Sequence, residues 1–490
     1  MKKLFLFFLL ISKSVLLSQT VLNSYPLNFD NNPRKYIQAL NIEDQKNHDL
    51  YVFLSDNTNI TILKYNKSVF LTNQFKDSIR EAYNCALIGQ SISDDGYPTL
   101  YWGSQNMRNL KIIKYYLDNK TSKTLKFDFP SYHDYIITSY QKNNVFYLLG
   151  KEKDQPHLIL YEFNNGKCVI RMFDFSAFAF QNEKKQNFAF STVLKYFPIE
   201  KMEYSNFNPL DKTTSKSKMY VYDDHIVLSL DYNLKQTQVF NLNLETQEVT
   251  EKNYPQPITK KASGNSNSFY YENKLFQIKS NSDEFLFDIK DFESAKTIKS
   301  VAISKNDTIR FKNSPFYIQI DDQKPQEIKT TNKFLKSLTT VNPGISIFKN
   351  NQNDFLTIGG FLEYEIADYN YDPADYFNGF DDSSRNISFS HQKMVYFDAM
   401  LNSNLEFIKN NHTEPLALDN LFYFLGNSKN VSLQNILKLK DYYILSYYDE
   451  TSKQYIMRKF TDGFIQEDRN PIRNKLQFSK PASFGSIKSR

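Results

Sequence analysis

An all-β fold is predicted by three features of this 490-residue sequence. Aromatic residues, mostly Tyr and Phe, make up 16% of the chain, and these side chains favour strands. Short runs that alternate apolar and polar residues recur between polar breaks, whereas long helical patterns are absent. Gly and Pro are sparse, and no Ser/Gly-rich or Pro-rich linker divides the chain. The length alone allows one to three domains, but the composition marks no boundary between them.

A pattern of an acidic residue, an apolar strand and a Ser recurs along the chain. It reads DYIITS from Asp134, DHIVLS from Asp224 and DYYILS from Asp441, and HDLYVFLS from His48 is a looser copy. The first two copies are ninety residues apart, which predicts two repeat units of about 45 residues each.

A hairpin is the second repeated element, with seven candidates. Asn165 and Gly166 supply the positive φ angles of a tight turn in one of them, and Asp462 and Gly463 do so in another. The candidates span Asn59–Phe75, Leu110–Phe129, His157–Phe173, Gln238–Tyr254, Glu284–Val301, Val395–Ile408 and Gln454–Gln466.

A unit of roughly 40 to 50 residues that carries four strands is the blade of a β-propeller. The segment from Cys85 to Phe173 shows two such units in succession, each with four short strands. We therefore predict an all-β propeller of about seven four-stranded blades, with about six to eight allowed, and with irregular insertions.

In these blades the chain resembles the broad class of bacterial exported β-propellers with kelch-like or WD-like repeats. The resemblance spans most of the sequence, but its motifs are degenerate. There is no Gly-Gly…Trp kelch signature and no Trp-Asp pair, and Trp102 is the only Trp. The resemblance therefore implies architecture and nothing about activity.

Residues 1–19 predict a secretory signal peptide. Lys2 and Lys3 precede an apolar run that is too short to span a bilayer, and Ser18 offers a small residue for cleavage. We expect export to the periplasm, the cell surface or the medium. Residues 20–466 are assigned to the propeller, with insertions near 174–217 and 330–394, and residues 467–490 to a basic, partly disordered tail. Residues 20–29 are expected to lend a strand to the final blade.

The charge balance excludes some partners. The formal net charge of +6 falls to +3 when removal of the signal peptide takes away Lys2, Lys3 and Lys13, which is too weak a bias for nucleic-acid binding. No later segment approaches the roughly 20 apolar residues of a membrane helix, so no transmembrane segment is predicted. Cys85 and Cys168 are the only cysteines, so no disulfide scaffold is expected, although export would permit one bond.

No catalytic motif stands out. The six histidines form no HExxH pair, and no GxSxG, GxGxxG or Walker sequence occurs. A pair of catalytic carboxylates from distant strands cannot be recognised in one sequence. The interpretation is a binding or scaffold module of unknown ligand, and the alternative is an extracellular carbohydrate-active hydrolase that uses paired carboxylates. Whether the protein is an enzyme stays open, with the balance against it, and no cofactor is predicted apart from the calcium considered next.

The stretch EYEIADYNYDPADYFNGFDDSSR, at 363–385, concentrates Asp among aromatic residues. Asp368, Asn370 and Asp372 have the D-x-N-x-D spacing of a calcium loop. An EF-hand also needs Gly at the sixth position and Glu at the twelfth, where Pro373 and Gly379 stand, so that type of site is excluded. A looser calcium site stays open, and the alternative is a long connection whose Asp, Asn and Pro make turns.

The aromatic residues of this stretch predict a binding surface. Tyr offers a large contact area at low entropic cost, with a polar tip for hydrogen bonds. We expect residues 367–385 to form a loop on one face of the propeller and to bind an unknown protein or glycan partner. The predicted contacts are Tyr369, Tyr371, Tyr376 and Phe377.

Overall fold

A computed structural model describes most of the chain between residues 19 and 463. The described residues are 19–27, 38–56, 58–79, 85–104, 106–204, 206–261, 264–321, 323–350, 353–368, 387–409, 415–428 and 430–463. The predicted signal peptide, apart from Gln19, and the basic tail 467–490 lie outside them. The chain divides into two compact units: Met1–Phe178, Thr246–Glu248 and His412–Arg490 form the first, and Ala179–Glu245 and Val249–Asn411 form the second.

The first unit contains four four-stranded antiparallel sheets in its described residues. Three of them are meanders whose strands follow chain order. The first meander is β2 (Gln38–Glu43), β3 (Leu50–Ser55), β4 (Asn59–Tyr65) and β5 (Leu71–Ser78). The second is β6 (Cys85–Ile92), β7 (Pro98–Ser104), β8 (Asn109–Tyr116) and β9 (Thr121–Asp128). The third is β10 (His133–Lys142), β11 (Val145–Glu152), β12 (His157–Asn164) and β13 (Lys167–Asp174).

The fourth sheet joins the two ends of the described chain. It is built from β30 (Val431–Lys438), β31 (Tyr443–Asp449) and β32 (Gln454–Phe460), with β1 (Gln19–Pro26) added beside β32. The β1 strand pairs antiparallel with β32, from Gln19 opposite Phe460 to Pro26 opposite Gln454. The expectation that residues 20–29 lend a strand to the final blade is therefore confirmed for residues 20–26.

The second unit contains three larger sheets and one two-stranded sheet in its described residues. The first is β16 (Ile199–Met202), β17 (Ser217–Val221), β18 (His225–Leu230), β19 (Gln236–Asn243) and β20 (Val249–Pro255). The second is β21 (Asn265–Tyr271), β22 (Lys274–Ser280), β23 (Glu284–Asp291) and β24 (Thr297–Ser304). The third contains β25 (Phe316–Ile320), β26 (Gln326–Ile328), β27 (Asn342–Asn350), β28 (Asn353–Asp368) and β29 (Ile387–Leu401). The small sheet is β14 (Phe180–Gln181) with β15 (Asn187–Phe188).

Four helices decorate the connections between the described sheets. They are α1 (Phe190–Tyr196), α2 (Leu210–Thr213), α3 (Thr331–Leu338) and α4 (Ala417–Asn427). The segment 174–217, which the sequence marked as an insertion, holds β14, β15, α1, β16 and α2. The segment 330–394 holds α3 but also β27, β28 and the start of β29, so its described part is largely blade.

The third sheet of the second unit departs from chain order. Its strand order is β26-β25-β29-β28-β27. Strands β25 and β26 lie on the side of β29 that faces away from β28, although they come before β27 in the chain. The hairpin expected at Val395–Ile408 is present only as one bridge, Leu401 opposite Phe407, because β29 pairs along its length with β28 and β25. The return arm of the hairpin expected at Gln454–Gln466 lies outside the described residues, and β31 and β1 occupy the two edges of β32. The other five hairpins are confirmed.

Sheets of the first unit pack face to face through apolar clusters. One cluster joins the β2–β5 sheet to the β6–β9 sheet and contains Phe53 and Trp102, and another joins the β6–β9 sheet to the β10–β13 sheet through Tyr101 and Phe146. Burial decreases toward the outer strand, so β3 is buried along its whole length while most of β9 is exposed. Seven blade-like sheets thus occur in the described residues, and the predicted fold class is confirmed.

The repeat behind this prediction compared strands that are not equivalent. DHIVLS, DYYILS and LYVFLS fall on β18, β31 and β3. Each of these is the second strand of its sheet in chain order, when the added strands β16 and β1 are not counted. DYIITS instead falls on β10, which is the first strand of its sheet. The equivalent second strands β3, β7 and β11 begin at Leu50, Pro98 and Val145, which are 48 and 47 residues apart. The predicted repeat length of about 45 residues was therefore close to the observed spacing, although DYIITS occupies a different strand position from the other copies.

Candidate functional site

Most of the predicted site residues lie outside the described part of the chain. This holds for Tyr369, Asn370, Tyr371, Asp372, Tyr376 and Phe377. Asp368 is the last residue of β28, and its backbone pairs with that of Ile387 at the start of β29. The stretch singled out in the sequence therefore connects two paired strands, β28 and β29. The structure describes the ends of these strands, which form the base of the stretch.

This base is a two-stranded ribbon. The pairing of β27 with β28 stops at Phe361, and the pairing of β25 with β29 stops at Lys393. The β28–β29 ladder continues without a bulge from Glu363–Gln392 to Asp368–Ile387. We call residues 363–368 and 387–392 the ribbon, and its six pairs extend about 20 Å at the usual rise per residue.

The two faces of the ribbon differ in chemistry. Glu363 and Glu365 are exposed and share a face with Ser390, whose hydroxyl donates to Glu363 Oε1 at 2.7 Å. On the opposite face, the rings of Tyr364 and His391 stack with centroids 5.7 Å apart. These two residues are direct cross-strand partners, so their contact helps to fix the register of the ribbon.

Asp321 covers the β29 edge at the base of the ribbon. This residue directly follows β25, lies in a turn and has a φ of +50°. Its backbone N–H donates to Gln392 O at 2.8 Å, and its carboxylate accepts from Gln392 N at 2.7 Å. The same carboxylate lies 2.8 Å from His391 Nδ1. Among the described residues, no strand covers the corresponding edge of β28.

A second polar cluster lies between the first two sheets of the second unit. Lys218 Nζ is 3.2 Å from Asp231 Oδ2, and it also donates to Asn267 Oδ1. Asp231 also accepts from the hydroxyls of Ser268 and Thr237 at 2.8 and 2.7 Å. All five residues are buried. Because each charge is met by opposite charge or hydrogen bonds, the cluster joins the sheets and offers little to a ligand.

Sequence reasoning missed a pair of acids on the inserted segment that contains β16 and α2. Burial raises the pKa of Asp211 to about 7, and the nearby charge of Glu200 pushes it in the same direction. Asp211 Oδ1 is buried without a hydrogen-bond partner, while Glu200 is paired with Lys212 at 3.3 Å. A hydrolytic acid must reach its substrate, so this pair does not favour hydrolysis.

Histidines and cysteines form no metal centre in the described residues. His48 and His225 lie beside carboxylates at turns, 2.7 Å from Glu43 Oε1 and 2.6 Å from Asp224 Oδ1. No group of three or more His, Cys, Asp or Glu is placed to hold a metal within the described ranges. Cys85 and Cys168 are both free thiols, so the bond that export would permit is not formed.

Searches against known proteins return structural likeness only. No family model matches the chain, and no curated protein matches it. The Dos1 propeller is 12% identical, with a TM-score of 0.30, over 87% of this chain and 78% of that one. The WD40 domain of SCAP from fission yeast is 9% identical, with a TM-score of 0.27, over 76% of this chain and 97% of that one. The fold assignment rests on the sheets themselves.

The helices carry no membrane signal. None of the helices within the described ranges combines the length and the apolar composition needed to cross a bilayer.

Proposed function

We propose that this protein is a binding or scaffold module whose contact element is the ribbon together with the stretch that joins its strands. One observation carries the proposal: the β28–β29 ladder continues for six pairs after both flanking strands have ended. A rigid sheet that holds a connecting loop is the usual arrangement of a recognition site. Tyr369, Tyr371, Tyr376 and Phe377 are proposed to make the contacts.

The negative charge of the segment 363–392 argues against nucleic acids as partners and favours basic ones. Residues 363–392 contain seven acidic residues (Glu363, Glu365, Asp368, Asp372, Asp375, Asp381 and Asp382) and one base, Arg385. The segment is therefore strongly acidic in a chain whose formal charge is +6. Such a segment repels nucleic acids and favours basic partners by complementary potential. A protein or a glycan remains the proposed partner class.

The test is binding on glycan and peptide arrays, followed by titration of the best ligand. Tyr371→Ala combined with Tyr376→Ala should weaken binding while leaving the thermal midpoint unchanged. The matched control is Tyr196→Ala combined with Tyr204→Ala, since both of these tyrosines are exposed in the second unit. Equal losses of affinity in the two double variants would argue against a contact role for the stretch.

Calcium is proposed only as an optional brace of the same stretch, held by Asp368, Asn370 and Asp372. Ligand that binds only the native state stabilises it by about 2.7 kcal/mol at a hundredfold excess over Kd. Calorimetry with calcium and with chelator should show that stabilisation in the unmutated protein and not in Asp368→Ala with Asp372→Ala. Identical unfolding of the unmutated protein in both conditions would remove calcium from the proposal.

We also propose that the protein is exported after cleavage near Ser18. The described part of β1 starts at Gln19, so a cut between these residues leaves every described pair of β1 with β32 in place. Intact mass and N-terminal sequencing of the protein recovered outside the cytoplasm should find a chain that starts at Gln19 or Thr20. A chain that retains Met1–Ser18 would contradict cleavage.

A further inference from the structure

The direction of the backbone groups along the ribbon can be worked out from the contacts of Asp321. Gln392 uses both its N–H and its C=O to bond Asp321, so both groups point away from β28. Gln392 and Glu363 are direct partners and thus form a pair without mutual hydrogen bonds. The N–H and C=O of Glu363 therefore point away from β29, toward the side where β27 has ended.

The alternation of an antiparallel ladder extends this result along β28. Glu365 and Ala367 lie two and four residues beyond Glu363, so their backbone groups face the same open side. Asp398, six residues beyond Gln392 on β29, has the same orientation, since its N–H bonds Ser314 Oγ and its C=O bonds Asn313 N. No bulge interrupts the register between these positions, so the parity is preserved.

Within the described ranges, the unpaired edge of β28 carries acidic side chains, where five other outer strands carry Lys. Outer strands are commonly guarded by Lys side chains against pairing with another chain. Five outer strands, β5, β9, β13, β20 and β24, each contain at least one Lys. The ribbon contains neither Lys nor Arg, and its described side chains on this strand include the exposed Glu363 and Glu365.

We infer that the β28 edge of the ribbon accepts an extended, basic polypeptide segment as an added strand. This inference rests on the proposed binding function and names the partner chemistry at the same element. Backbone hydrogen bonds to Glu363, Glu365 and Ala367 supply the pairing, and side chains supply the selectivity. The occupant is a partner protein's segment, argued from the charge complementarity between its bases and the two exposed carboxylates.

The register dictates a sequence pattern for that segment. Residues directly opposite one another in adjacent strands share a face, with Cβ atoms about 4.5 to 5.5 Å apart. Basic residues at positions i and i+2 would lie opposite Glu365 and Glu363. The residue between them would lie on the face of Tyr364, which is half-buried and favours an aromatic partner. The predicted core motif is therefore Lys/Arg, aromatic, Lys/Arg.

Methylated peptides test the pairing on the unmutated full chain. The probe is Ser-Thr-Lys-Phe-Lys-Thr-Ser, and the composition control is Ser-Thr-Lys-Lys-Phe-Thr-Ser. N-methylation of either Lys removes a donor that faces β28, whereas N-methylation of Phe removes one that faces away. Titration should show roughly tenfold weaker binding, or worse, for the Lys-methylated probes and the control, and unchanged binding for the Phe-methylated probe.

Two substitutions at one position supply the protein side of the test. Glu365→Pro removes an N–H that faces the open edge and takes no part in the ladder with β29, so the ribbon should keep its pairing. Glu365→Gln removes the charge and keeps the N–H. Strand addition predicts a larger loss of probe affinity in the Pro variant than in the Gln variant, with equal thermal midpoints for both.

The possible outcomes distinguish a failure of strand addition from a failure of the proposed binding function. Tight binding that ignores both the methyl positions and Glu365→Pro would overturn strand addition and leave the binding function standing. Failure of the probe, with a glycan or a non-basic protein bound through the tyrosine stretch, would also overturn it. If the full chain binds no polypeptide and no glycan on the arrays, the proposed function itself fails.

Discussion

Lys218 and Asp231 form an ion pair from which water is excluded: Nζ and Oδ2 are 3.2 Å apart, and neither side chain has any exposed surface. The two residues belong to the first sheet of the second unit, where Lys218 is on β17 and Asp231 follows β18. Ser268 on β21 also bonds Asp231, so the carboxylate links two neighbouring sheets. Removal of either charge leaves its partner buried and uncompensated.

Replacing one member of this pair is expected to be costly. Lys218→Met should lower the free energy of unfolding by about 3 to 5 kcal/mol, because Asp231 would remain as an unpaired buried anion. Addition of Asp231→Asn should recover part of that loss, which a double-mutant cycle in urea would show as a coupling energy. The control is Lys349→Ala, since the Lys349–Glu272 pair is exposed and its loss should cost less than about 1 kcal/mol.

Asp211 should make stability fall as pH rises. Its pKa is raised from 3.8 to about 7 in the folded state, so the native protein binds the proton more tightly than the unfolded chain does. The contribution is complete below about pH 4 and is lost as pH rises through 7. Asp211→Asn should flatten this part of the profile, and the rise in pKa from 3.8 to about 7, at about 1.4 kcal/mol for each pH unit, sets an upper bound of about 4 kcal/mol on its gain at pH 8 relative to pH 4. Urea unfolding of both proteins at several pH values measures the difference, and parallel profiles would contradict the assignment.

Loss of β1 should destabilise the first unit. A chain that begins at residue 30 lacks the strand that pairs with β32, and it exposes the apolar edge where Leu22 and Tyr25 pack. We expect a lower thermal midpoint, and partial recovery when a peptide of residues 19–27 is added. A midpoint that does not change after the deletion would show that β1 adds nothing to this sheet.

Both cysteines should react much more slowly as thiols in the native protein than after unfolding. Burial raises the pKa of Cys168 to about 12 and also raises that of Cys85, so little thiolate forms in the native state at neutral pH. A thiol reagent should label two sites per chain in urea and label the native protein slowly. Intact mass before reduction should fit two free thiols, and a mass lower by two hydrogens would reveal a disulfide.

The sequence alone was sufficient to predict the class of fold and the addition of the N-terminal strand β1 to the last sheet. Alternating strands, tight turns such as Asn165–Gly166, and a unit of about 45 residues are local signals, because they depend on side chains near one another in the chain. The φ angles of 49° and 74° at those two residues bear out the turn. At Val395–Ile408 the expected hairpin is reduced to the Leu401–Phe407 bridge, since the strand beside β29 comes from an earlier part of the chain.

For the candidate site, too, the sequence predicted some features and the tertiary structure supplied the others. The composition of 363–385 marked an unusual stretch without showing what holds it, and its tyrosines lie outside the described residues. Only the tertiary structure decided that β28 and β29 pair beyond their neighbours, that Asp321 covers one edge, and that no described strand covers the other. Those facts depend on where strands distant in sequence end, and a single sequence carries no signal for such an ending. The buried pair of Lys218 and Asp231 escaped the sequence reading for the same reason, because burial arises only when two sheets meet.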